Sequence, residues 1–229
     1  MRYDWDFTPL ASYSLLWLHG VGVTFALSLL VICVGTALGG LLVLALRVQS
    51  RLFRVFTRLY VDIFRAIPAL VLIGSLYFCL PILTGLRIDP FDTAFIALSL
   101  NLAPFAAECI RSGIESVPNL QYESTRVMGF SKWQSSYYVI APQAVRRILP
   151  PLVGQYVTSL KLTSLAATIS VPEIWHATGQ VITATSLPIE ARLVGAILYV
   201  AIILPFLWLS RWLEKQFNVR GFGQPILER

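Results

Sequence analysis

The run VGVTFALSLLVICVGTALGGLLVLAL, Val21 to Leu46, carries no charged side chain over its whole length. A helix needs roughly 17 to 25 apolar residues to cross a hydrocarbon core. In lipid every backbone N–H and C=O must be satisfied within the segment, so a run of this kind reads as a spanning helix. Four further stretches qualify on the same reading, approximately residues 66 to 83, 93 to 110, 149 to 167 and 193 to 209. Only 13% of the 229 residues are charged and the mean hydropathy is +0.71, against about 25% charged in soluble domains. The expected fold is an all-α integral membrane protein with five transmembrane helices.

The net charge of +6 is distributed in alternate loops, which argues against nucleic acid as a partner. Arg47, Arg51, Arg54, Arg58 and Arg65 face Asp62 alone between the first two runs. Residues 111 to 147 carry Arg111, Arg126, Lys132, Arg146 and Arg147 against Glu115 and Glu123, and the tail adds Arg211, Lys215, Arg220 and Arg229. The intervening loops are acidic, with Asp4, Asp6, Asp89, Asp92, Glu173 and Glu190. Positive-inside bias therefore places the N-terminus outside and the C-terminus in the cytoplasm. The first residues are acidic and aromatic, unlike a cleavable signal, so the first span is expected to act as its own insertion signal. Cys33, Cys79 and Cys109 fall in apolar runs too far apart for a metal knot, and His19 and His176 stand alone, so no metal site is expected. With no compositional break or internal repeat, residues 1 to 229 read as one membrane domain.

The longest extramembrane piece, residues 111 to 147, has a legible local design. Asn119 is placed to cap one short helix, and Gly129 to close it in a left-handed conformation. Ser131 with Gln134 three residues later has the form of a capping box, so a second helix should begin there and stop before Pro142. The product is a bent helical pair with Met128, Phe130 and Trp133 near the bend. Exposed aromatics beside a polar rim suit a protein partner; the alternative is that Trp133 and Tyr137 anchor the loop at the membrane interface.

Glu123, Gly129 and Pro142 stand at the spacing of the cytoplasmic EAA loop, and the stretch resembles that loop in the membrane subunits of ATP-binding-cassette importers. Ser124-Thr125 replace its Ala-Ala, and Ala141 replaces the Leu before the proline. Further stretches resemble the polar amino-acid branch of these permeases: Val61 to Leu70, Ala107 to Pro118, and Pro150-Pro151 followed by Ser159 to Leu165. The resemblance implies the type I importer transmembrane fold in a bacterial inner membrane. It also implies docking of Glu123, Met128, Gly129, Phe130, Ser131, Trp133 and Pro142 onto a partner ATPase. The implied assembly contains an ATPase dimer that holds ATP and Mg, a second permease chain, an extracytoplasmic solute-binding protein and surrounding membrane lipid. No cofactor is expected on this chain itself. Leu162 departs from the family, which has Asp or Asn there, so one polar group along the path is absent; such a chain suits the less substrate-engaged half of a mixed pair.

Ionisable residues at membrane depth point to function. Lys161 lies about 18 Å into its helix at 1.5 Å per residue, near the middle of a core roughly 30 Å thick. It either attracts a cargo carboxylate, with Thr163 and Ser164 adding hydrogen bonds, or snorkels or pairs with an acid. Glu108 and Arg111, three apart, are expected to pair, as a structural ion pair or as a brace for a gate. Gly35 and Gly39 form a small-xxx-small stripe expected to serve internal helix packing.

Other classes fit less well. None of Lys132, Lys161 and Lys215 follows the glycine of a phosphate loop, so the chain is not itself an ATPase. An ion-coupled secondary carrier would ordinarily show inverted repeats, and an intramembrane enzyme needs converging catalytic groups. The chain is therefore expected to be a non-catalytic permease subunit for a polar amino acid or similar small zwitterion.

Overall fold

The structure is a computed structural model that describes residues 4–217; Arg220 and Arg229, counted above in the charge bias, lie outside them. Every regular element among the described residues is helical. A 3-10 turn, Thr8–Tyr13, leads into α1 (Ser14–Ala45). α2 (Arg51–Ala66) starts at Ser50, whose hydroxyl accepts from the Phe53 amide. It ends at Pro68, which pushes the preceding residue out of helical geometry. After that break α3 (Ala69–Gly74), a π-turn (Ser75–Cys79) and α4 (Leu80–Thr84) run on as one rod, closed by Gly85 at φ +75°. α5 (Pro90–Glu115) begins where the Asp89 carboxylate accepts from the Phe91 amide at 2.9 Å.

α6 (Asn119–Val127), α7 (Lys132–Gln134), a second π-turn (Ser135–Ile140) and α8 (Ala141–Leu162) follow. The chain then tightens into a 3-10 segment, Thr163–Ile169. α9 (Ile174–Thr185) and the long α10 (Pro188–Gln216) complete the described part.

α1 and α5 run side by side through the centre. A Cβ on Gly39 would sit 2.7 Å from the Ala106 Cβ, and one on Gly35 would sit 2.9 Å from the Leu102 side chain, so only glycine permits this approach. The stripe thus serves internal packing, as small residues do when helices approach closely. Leu27 and Val31 of α1, Ile73 of α3, and Ala97 and Leu98 of α5 close the main core with Ile169 and Val171.

Three helical segments are long and apolar enough to span a membrane: Thr8–Ala45, Pro90–Glu115 and Pro188–Gln216. The pair Arg51–Ala66 and Ala69–Thr84, bent by 104°, gives a fourth if counted as one span. α8 stands where the fourth of the five expected runs was placed. It carries Arg146, Arg147 and Lys161, and the α-helix gives way to 3-10 geometry at Thr163.

Candidate functional site

The bend between α6 and α7 is built from two caps in succession. Gly129 adopts φ +79°. The Phe130 amide donates back to the Thr125 carbonyl and the Gly129 amide to the Arg126 carbonyl, each at 3.0 Å. That pair of bonds is the Schellman closure, which consumes carbonyls the helix end would leave unmet. Two residues on, Ser131 Oγ accepts from the Gln134 amide at 3.2 Å while Gln134 Oε1 accepts from the Ser131 amide at 2.9 Å, a complete capping box. Across the bend, the buried hydroxyls of Thr125 and Ser135 meet at 2.5 Å.

Two local expectations are corrected. Asn119 does not cap α6; it is the first helical residue, Pro118 holds the cap position and no side chain accepts there. The second helix also does not stop before Pro142. Proline cannot donate to the carbonyl four residues back, and the chain absorbs this with the Ser135–Ile140 π-turn, in which the Ala141 amide reaches Ser136 O. Register shifts by one residue and the helix continues into α8. The same device precedes Pro81, where the Leu80 amide reaches Ser75 O.

The elbow is fastened at its base. Val117, Ile140 and Ala144 form a small core with Ile114, Tyr122 and Ile148, and Arg147 donates to the Ser116 carbonyl at the end of α5. Its tip faces out: Met128 is 70% exposed and Trp133 64%. Trp133 packs against Tyr137, with ring centroids 4.5 Å apart, and Tyr137 against Tyr138 at 5.1 Å. Phe130 is half-buried and outside this ring cluster among the described residues. Glu123, Ser131 and Pro142 are exposed.

Just above the elbow, Glu108 accepts from Arg111 Nη2 at 3.1 Å, the pairing expected from their spacing. Sequence reasoning missed the third member. Arg65, at the end of α2, lies 3.6 Å from Glu108 and stacks over the Phe105 ring, tying the α2–α3 break to α5.

Beside that break lies a cavity of ≈ 260 Å³ between α3, α5 and α8. Its polar lining comes from Arg65, Asn101, Gln155, Thr158 and Ser159, its apolar lining includes Phe105 and Leu162, and no carboxylate is among the lining residues. The sequence-selected trio lies elsewhere. Lys161 is exposed and does not line the cavity; Thr163 is buried and donates to the Leu160 carbonyl at 2.7 Å; Ser164 donates to the Lys161 carbonyl at 2.8 Å. Asn101, a lone amide in an apolar helix, was the available signal for the cavity.

A second polar cluster also escaped the sequence. Glu173, wholly buried, caps α9 by accepting from the Trp175 amide at 2.9 Å and the His176 amide at 2.8 Å. Tyr199 of α10 donates to the same carboxylate. Thr24 and Thr163 stand near that phenol, and Thr24 Oγ1 accepts from the Ile174 amide at 3.2 Å. Glu173 lies in the link before α9, outside the helices that qualify as spans. Burial pushes its carboxyl above the usual carboxylate range, opposed by the Tyr199 hydroxyl and the two amides.

A family model described as "Binding-protein-dependent transport system inner membrane component" matches residues 32–219. The glutamine transport system permease protein GlnP of Escherichia coli (strain K12) is 30% identical over 220 residues, 96% of this chain and 100% of that protein. The probable amino-acid ABC transporter permease protein YckA of Bacillus subtilis is 37% identical over 157 residues, 69% of each chain. Among solved structures, a chain of an amino acid ABC transporter crystallised with histidines superposes with a TM-score of 0.87 at 26% identity, covering 93% of this chain and 100% of that one. A chain of the MetNI methionine ABC transporter in an inward-facing conformation gives 0.72 at 18% identity over 90% and 98%, a likeness of fold.

Proposed function

This chain belongs to the binding-protein-dependent transport system inner membrane components, and from that premise we propose that it is the path-forming subunit of an ATP-driven importer for a polar amino acid or similar small zwitterion. The observation that carries the reading is the elbow. A glycine-hinged helical pair, doubly capped and braced at its base, presents Met128, Trp133 and Tyr137 to a partner. A lever that transmits motion must resist bending, and two cap motifs plus the Thr125–Ser135 contact supply that stiffness at low cost in chain entropy. The motor is a separate ATPase dimer holding ATP and Mg. A second permease chain closes the path, and an extracytoplasmic binding protein delivers the cargo across a bacterial inner membrane.

Cargo contact fits the cavity beside the α2–α3 break better than Lys161. Asn101 and Gln155 offer both donors and acceptors, which suits a group bearing an ammonium and a carboxylate. Leu162 forms an apolar wall where the family pattern that this stretch resembles has Asp or Asn. Relatives named for glutamine transport and for amino-acid transport agree with such a cargo.

The test is Gly129→Val in the reconstituted complex. A β-branched residue at φ +79° is strained by about 1–3 kcal/mol. ATP hydrolysis should persist while uptake per ATP falls on the order of tenfold, because a displaced elbow is gripped without transmitting its motion. Unchanged uptake per ATP overturns the lever.

A further inference from the structure

α2 carries a face that the fold does not use. At helical spacing along Arg51–Ala66, the side chains divide into a cationic arc of Arg51, Arg54 and Arg58, edged by the single exposed acid Asp62, and an apolar arc of Leu52, Val55, Phe56, Leu59 and Ile63. The helix is attached to the bundle along another line, where Thr57 is buried and Tyr60 donates to the Leu100 carbonyl at 3.3 Å. The apolar arc stays uncovered, with Leu52 at 68% and Phe56 at 61% exposure. None of Arg51, Arg54 and Arg58 forms an ion pair among the described residues.

Orientation supplies the second observation. The 104° break at Ile67–Pro68 turns α2 nearly perpendicular to the apolar rod that follows. Its last turn is held by Glu108, close to the end of α5 that leads into the elbow. A basic amphipathic helix lying flat at that level has the form of an interfacial helix, its apolar side among acyl chains and its cations at headgroup depth.

We infer that α2 binds anionic phospholipid of the leaflet on the elbow side: the Leu52–Ile63 arc inserts among the acyl chains, while Arg51, Arg54 and Arg58 pair with headgroup phosphates. Charge selects this occupant. α2 packed against its own copy would bring two rows of unneutralised guanidinium groups together, whereas a lipid surface offers both the apolar layer and the anions in the required order. Guanidinium and phosphate also match as paired donors and acceptors. The inference is independent of the cargo and of the elbow.

The experiment uses the complete transporter in nanodiscs of phosphatidylcholine with graded phosphatidylglycerol, and measures the preference of protein-bound lipid for phosphatidylglycerol. The wild type should prefer it, and removing charge in the Arg51→Gln/Arg54→Gln/Arg58→Gln variant should reduce that preference by up to roughly fivefold per arginine. The corresponding triple Lys variant should keep most of it, which separates loss of charge from loss of structure. A spin label at Leu59→Cys, with Cys33, Cys79 and Cys109 replaced by alanine, should be open to oxygen and shielded from an aqueous nickel chelate. The inference is overturned if the glutamine variant keeps the wild-type lipid preference. It is equally overturned if the Leu59 label is nickel-accessible, or if Leu59→Cys cross-links to a second copy of the chain in high yield.

Discussion

Glu108 and Glu173 are chemically alike and are held in opposite ways. Glu108 sits near the end of α5 that leads into the elbow, its side chain 40% exposed, shared between Arg111 at 3.1 Å and Arg65 at 3.6 Å. Glu173 sits against the N-terminal half of α1, fully buried, with no cation among its partners in the described residues: two amides of α9, one phenol of α10 and burial itself define it. Ion pairs between exposed groups are individually weak and can be remade as helices slide. A buried carboxylate that has given up water for fixed donors cannot release one without leaving the others unmet. The molecule thus puts its exchangeable contact where α2, α3 and α5 meet beside the cavity, and its fixed contact where α9 must stay locked to α1 and α10.

The sharpest way to break this contrast is Glu173→Ala. The variant leaves two α9 amides without a partner and removes the acceptor of the Tyr199 hydroxyl, at a cost of roughly 3 kcal/mol. Thermal unfolding in detergent should show the loss, and hydrogen exchange should locate it in α9. A variant as stable as the wild type would place Glu173 with the exchangeable contacts instead. The raised carboxyl also sets a sign. A folded-state value above the unfolded one means that this group's contribution is fullest below the ordinary carboxylate range and is lost as pH rises through the raised value. In a background otherwise identical, Glu173→Gln should therefore flatten the fall in stability with rising pH.

Tyr199→Phe sharpens the comparison at smaller scale. It removes one donor and leaves the cap bonds to Trp175 and His176 in place, so about 1 kcal/mol is expected. Uptake should change little if the cluster serves only to hold α9. A large loss of uptake with a small loss of stability would instead give the cluster a part in movement.

What the sequence disclosed about these regions follows the range of the interactions. The elbow was legible because Gly129 with φ +79° and the Ser131–Gln134 box are set by residues within a few positions of each other. Pro142 was misread for a related reason: the rule that proline ends a helix is local and correct, but a π-turn offers a second local solution that the rule omits. Glu108–Arg111 was visible at a separation of three, whereas the Arg65 partner comes from another helix. Glu173, Tyr199 and Thr24 come from the link before α9, α10 and α1 respectively, and no periodicity announces that meeting. Lys161 drew attention as a cation in an apolar run, yet the helix face it occupies is exposed, and the cavity is lined instead by its neighbour Leu162.

The smallest effect on stability, and the most informative about the exchangeable site, is expected from Glu108→Gln. Both its ion pairs are solvent-exposed, so unfolding should shift by less than about 1 kcal/mol. Arg65, however, lines the cavity as well as pairing with Glu108, so removing the carboxylate frees that guanidinium to turn toward the cavity proposed to hold cargo. Apparent affinity for cargo and the rate of ATP hydrolysis without cargo should then both change in a protein that melts almost normally. The double variant Arg65→Gln/Glu108→Gln separates two explanations. If the ion pair acts as a latch, the double variant should resemble Glu108→Gln; if the freed guanidinium is the cause, the double variant should return toward wild type in cargo affinity. A Glu108→Gln protein with unchanged transport and unchanged basal hydrolysis would reduce Glu108 to a solvated surface acid and remove the contrast with Glu173 on which the exchangeable–fixed distinction stands.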